Sequence, residues 1–133
     1  MGARGPTRAD KEIEMAKYLL LIVEAEEAYA SAGEAEMNET MQAHSSFAEE
    51  VVAAGATLLG GEALQPTPTA TYLRKTRTED VHTVDNPSPE LKEVVGGYYL
   101  IEAADDDVAL EVAKRCPAGF GHVELRPIWD FGG

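Results

Sequence analysis

The 133 residues are 44% apolar, enough for one packed domain and too apolar for a disordered chain. Lys and Arg number 11 against 24 Asp and Glu, and the net charge of −13 repels phosphate backbones and anionic bilayers, so neither nucleic acid nor membrane is an expected partner. No apolar run approaches the roughly 20 residues of a membrane span, and one cysteine, Cys116, permits no intrachain disulfide, which fits a reducing cytoplasm.

Residues 1–16 carry three charges of each sign, early Gly and Pro, and no periodic pattern. They read as a flexible extension, native or appended, without the apolar stretch of a secretory signal. A single domain is expected over residues 17–133. Residues 17–23 are nearly all apolar and read as a central strand. Residues 24–33 read as a polar loop. A helix is expected from about 36 to 54, because Met37, Met41, His44, Ala48 and Val51 recur at steps of 4, 3, 4 and 3, with Phe47 widening that face and Gly55 as a stop.

A strand follows from Thr57, interrupted at Gly60-Gly61, and Pro66 and Pro68 break the pattern beyond it. Residues 70–75 and 81–84 read as short strands, and Asn86-Pro87-Ser88-Pro89 as a turn. Residues 90–95 suggest a helical turn closed by Gly96-Gly97, and 98–103 a strand rich in β-formers. Asp105-Asp106-Asp107 supplies a cap and first-turn charge for a helix through Arg115, buried through Val108, Ala109, Val112 and Ala113. Residues 122–128 form a last strand, with Val123 and Leu125 on one face and His122, Glu124 and Arg126 on the other. The order β-α-β-β-(β)-β-α-β, with the short strand at 81–84 in brackets, is the split βαβ plan, an α+β sandwich with both helices on one face of a mostly antiparallel sheet. Apolar residues alternate on both strand faces, so a second copy of the chain is expected to cover the other face as a homodimer.

The segment Asp85-Asn-Pro-Ser-Pro-Glu-Leu-Lys-Glu-Val-Val-Gly-Gly-Tyr98 resembles the signature of the DGPF members of the YCII-related family, roughly D-G-P-F, E-x-K-E and G-G-Y/F. Lys17-Tyr-Leu-Leu-Leu-Ile, Gly60-Gly-Glu-Ala-Leu-Gln-Pro66 and Val123-Glu-Leu-Arg-Pro-Ile-Trp129 match further stretches, in order, across residues 17–130. Two positions depart: Asn86 stands where the family has Gly, and Ser88 where it has Phe. Asn tolerates left-handed backbone, so the turn can survive. Loss of the Phe makes any pocket wall it supplied more open or more polar. The resemblance implies a ferredoxin-like fold of dimeric α+β barrel type. Some relatives are enzymes acting on small, often aromatic, molecules with a histidine near the first helix and an aspartate as acid and base. His44 stands in the place of that histidine, and Asp85, fixed by its turn, is the matching choice of aspartate.

Two readings are open for each candidate. His44 lies on an apolar helix stripe, and its ordinary pKa of about 6.5 suits proton transfer; it could equally be a buried histidine bonded to backbone. Asp85 either orients His44 or caps its own turn. Glu62 is either a desolvated carboxylate in the pocket or a structural bridge to Arg74 or Arg126. Lys92, and Arg74 in the basic tract Arg74-Lys75-x-Arg77, could hold an anionic group or be solvated surface charge. Tyr72, Tyr98 and Tyr99 read as core or dimer interface, and Cys116 as packing. His44, His82 and His122 have no metal-ligand spacing, and no phosphate loop, nucleophile elbow or dinucleotide fingerprint occurs, so no metal or cofactor is expected. The expected function is acid-base chemistry, elimination or isomerisation, by His44 and Asp85 on a small organic molecule between helix and sheet. The alternatives are a non-catalytic ligand-binding or regulatory dimer of the same fold, and a purely structural dimer.

Overall fold

Apolar alternation makes Ala16–Ala25 a strand, β1, with Tyr18, Leu20 and Ile22 buried on one face and Leu19, Leu21 and Val23 half-buried on the other. The computed structural model describes residues 15–74, 82–84 and 93–132; the expected extension, the Asn86-Pro87 turn, Asp85 and Lys92 lie outside them. Where a polar loop was expected, Glu26–Ala30 forms a short helix, α1, with Glu26 and Glu27 in its first turn, where negative charge is favoured. Helix α2 spans Glu34–Ala53, starting earlier than the apolar stripe suggests because the Gly33 N–H donates to Glu36 Oε1 at 2.9 Å. Gly55, at φ 92°, ends it.

The buried line of α2 is Phe47 and Val51, whereas Ala48 is exposed and Met41 is 58% exposed. The expected stripe is therefore off centre. Helix α2 closes on the sheet through its C-terminal half, and farther forward Met41 and His44 border a cavity. Strand β2, Thr57–Ala63, runs unbroken through Gly60-Gly61, and the expected interruption is only a register shift between Leu58 and Gly60. Strands β3 (Tyr72–Arg74) and β4 (His82–Val84) pair antiparallel as a separate ribbon.

Strand β5, Glu93–Ala103, takes in Val94 to Gly97, where a helical turn was expected. Two adjacent β-branched residues favour the strand, and Val23 and Ala63 pair with this stretch on either side. Helix α3, Asp106–Ala113, begins as its sequence promises, with Asp105 Oδ1 accepting from the Val108 N–H at 2.9 Å. Strand β6 is Gly121–Pro127.

The main sheet has the order β2-β5-β1-β6, every neighbour antiparallel. With α2 between β1 and β2 and α3 between β5 and β6, this is the ferredoxin-like α+β fold. The core joins Tyr18, Leu20 and Ile101 of the sheet to Phe47 and Val51 of α2 and Ala109 and Val112 of α3. Tyr18 donates to Asp106 Oδ1 at 2.6 Å, tying β1 to the first turn of α3. The far sheet face is not covered by these helices: Leu19 and Leu21 border a shallow depression with Ile128, Trp129 and Phe131, the two aromatic residues being 82% and 89% exposed. Among the described residues no helix is long and apolar enough to cross a membrane.

Candidate active site

The helix-facing alternation of β1 continues past Ile22 to Glu24, and that of β5 runs back from Ile101 through Tyr99 to Gly97. These positions, with Gly61 and Glu62 of β2, floor a cavity of about 330 Å³, a volume typical of small-molecule sites. Met41 and His44 of α2 form one wall, and Glu26 and Tyr29 of α1 meet residues 64–66 at the rim. The rim is held by a fork: the Glu26 carboxylate accepts from the Thr67 N–H and from its hydroxyl, each at 2.7 Å.

One polar pair stands out on the wall. Nδ1 of His44 lies 2.7 Å from the Tyr99 hydroxyl, so a single proton bridges imidazole and phenol. The Tyr99 ring also packs on Phe47, centroids 4.6 Å apart, which fixes its plane. Burial pushes the His44 pKa below its usual 6.5, and the Glu24 carboxylate pulls partly the other way. Burial raises that of Tyr99, with a smaller contribution from Cys116. Both partners are therefore uncharged near neutrality. An uncharged imidazole with one nitrogen bridged to an acidic hydrogen can accept a proton at one point and release one at another. Glu24 is anchored in turn, its Oε2 accepting from the Phe120 N–H at 3.2 Å. The Cys116 thiol is buried and pushed up to about 12, by burial first and by Glu24 second, so it is no nucleophile.

Of the candidate site residues expected from sequence, His44 and Glu62 border the cavity, as do Tyr98 and Tyr99, which were expected in the core or the dimer interface. Glu62 is exposed rather than desolvated, and the bridge expected for it is not formed: Arg126 pairs with Glu124 on its own strand, and Arg74 stands exposed on β3, away from the cavity lining. Among the described lining residues none is Lys or Arg. Asp85 and Lys92 lie outside the described residues. His122 is on the surface, 3.3 Å from Glu93. Among the described residues no group of three or more His, Cys, Asp or Glu is set to hold a metal ion. Sequence reasoning placed Tyr99 in the core or the dimer interface without a chemical role, and missed Glu24. Period-two alternation from the apolar residues Ile101 and Ile22 was the available signal for both.

Fold and cavity together define a ferredoxin-like α+β domain whose cavity lies between its long helix and its sheet. The model of the YCII-related domain matches residues 16–132, and the chain belongs to that family. No curated protein matches the sequence.

Proposed function

We propose that the protein is a small-molecule enzyme that moves protons, in an elimination or an isomerisation, with His44 and Tyr99 as its working pair. The observation that carries this reading is the 2.7 Å contact between His44 Nδ1 and the Tyr99 hydroxyl on the wall of a 330 Å³ cavity. When Nδ1 carries the hydrogen and donates to the phenol oxygen, Nε2 is free to take a proton from a substrate carbon while the phenol O–H donates to the oxygen that gains charge. Glu24 stabilises the imidazolium that forms. Asp85, the partner suggested by the family resemblance, would have to act from the segment outside the described residues. The lining carries Glu24, Glu26 and Glu62 and, among described residues, no basic side chain, which favours a neutral or cationic molecule over an anion.

The test is deuterium exchange. Small aryl and cyclic ketones incubated with the enzyme in D2O should gain deuterium next to the carbonyl, and His44→Asn and Tyr99→Phe should abolish the gain. If ketones that bind the cavity exchange no faster than in buffer, the chemistry is absent. The non-catalytic binding module then takes its place, a reading that Ser88 in place of the family's Phe favours. The functional unit in this proposal is a homodimer, joined through the uncovered face around Leu19, Leu21 and Trp129. Light scattering should report twice the chain mass, and the shared interface should bury more than about 1,000 Å².

A further inference from the structure

Tyr99 can place its hydroxyl against His44 only if its ring has somewhere to lie, and β2 leaves that space at one position. Gly61 is the register partner of Tyr99. A Cβ added to Gly61 would fall 2.5 Å from Tyr99 Cδ1, 3.1 Å from its Cε1 and 2.8 Å from the Tyr98 carbonyl oxygen. Retreat toward the core is closed, because Phe47, 1% exposed, packs on the ring at 4.6 Å and is itself locked there. Gly60 supplies the contrast. It precedes Gly61 in the same strand, yet a Cβ there would meet nothing within 4 Å. Neither glycine has a positive φ, so neither is required for backbone freedom. The requirement at Gly61 is space.

We propose that Gly61 is a positioning residue for the site: its missing side chain forms the seat of the Tyr99 ring and so sets the hydroxyl within reach of His44 Nδ1. This rests on the His44–Tyr99 reading above. It adds that part of the site's precision is written in a residue with no functional group. Any side chain at position 61 displaces the ring, and the hydroxyl moves with it.

The test needs no substrate. The 15N resonance of His44 Nδ1, assigned by its loss in His44→Asn, reports on the hydrogen bond in the full-length protein. Tyr99→Phe should shift it. Gly61→Ala should shift it in the same direction, and adding Gly61→Ala to Tyr99→Phe should produce no further shift. Gly60→Ala, an equal change in strand composition, should leave the resonance at its wild-type position. A Gly61→Ala protein that folds with an unmoved Nδ1 resonance overturns the proposal while leaving the pair intact. An unmoved resonance in Tyr99→Phe overturns both. Should Gly61→Ala fail to fold, the double variant Gly61→Ala/Tyr99→Leu decides. Recovery of folding locates the conflict at the ring, as proposed, and continued failure locates it at the Tyr98 carbonyl and overturns the role.

Discussion

The rim of the cavity depends on one side chain, and its removal has a calculable effect. The Glu26 carboxylate accepts both the N–H and the hydroxyl of Thr67, each at 2.7 Å in a partly buried setting. A hydrogen bond to a charged group contributes about 1.5–3 kcal/mol. The two are not additive here, because once the fork opens water solvates both Thr67 groups. About 2 kcal/mol for the pair is the working figure, a factor of about 30 in the opening equilibrium. In Glu26→Ala the Thr67 amide should exchange with solvent about 30-fold faster. The neighbouring turn, held by Thr69 N–H to Pro66 O at 2.9 Å, should survive, and so should the core around Phe47 and Val51. Glu26→Gln keeps one acceptor without the charge and should fall between. Ligand entry and exit should both quicken with little change in affinity, since the rim gates the cavity without forming its floor. Hydrogen exchange read amide by amide makes the measurement. Unchanged Thr67 exchange in Glu26→Ala, or faster exchange through the whole chain, would refute the assignment of the fork as a local latch.

Tyr18→Phe keeps the buried ring and removes its hydrogen bond to Asp106; stability should fall by about 1.5 kcal/mol, a Tm loss of about 5 °C in a calorimeter. Its pKa is pushed up to about 12 from 10, chiefly by that bond, so the stabilisation is complete below pH 10 and lost as pH rises toward 12, a slope the variant should lack. On the acid side, His44 has a folded-state pKa below 6.5 because burial disfavours its charge; its contribution is present above pH 6.5 and lost as pH falls through the folded value, and urea titrations of His44→Asn should show that segment flattened. Leu21→Glu, on the uncovered sheet face, should halve the mass seen by light scattering while the far-UV spectrum stays that of the wild type.

Much of the fold is legible because burial on one face enforces period two. Tyr18, Leu20 and Ile22 fix the direction of β1, and Asp105 announces α3 through a cap that forms as expected. The two glycine-pair misreadings share one cause. Gly60-Gly61 and Gly96-Gly97 look like breaks, yet both pairs lie inside strands. A glycine is suited to a strand where a neighbouring backbone approaches closely. A Cβ on Gly97 would fall 3.0 Å from the Glu62 carbonyl oxygen, so adjacency in the sheet, invisible along the chain, decides the residue. The α2 stripe misled for a related reason. Periodicity identifies an apolar side without saying how much of it touches the sheet, and here only Phe47 and Val51 are buried from that helix.

The site was half legible, and the division follows from what each residue type signals. A histidine on an apolar stripe is conspicuous, because burying a titratable ring carries a desolvation cost that invites an explanation. A tyrosine in a strand invites none, since its ring alone accounts for its place, and Tyr99 does pack on Phe47 as a core residue would. What separates it from a core tyrosine is the position of one oxygen, 2.7 Å from His44. That position depends on three elements distant in sequence: α2 brings the imidazole, β5 the phenol, and β2 the empty space at Gly61. The family resemblance directs attention to an aspartate in a turn, whereas the alternation of β1 and β5 directs it to Glu24 and Tyr99, which border the cavity beside His44. Substituting each acidic candidate in turn separates the two routes. If Asp85→Asn leaves the His44 titration unchanged and Glu24→Gln lowers its pKa, the charge that steadies the imidazolium comes from the strand; the opposite result returns that role to the turn.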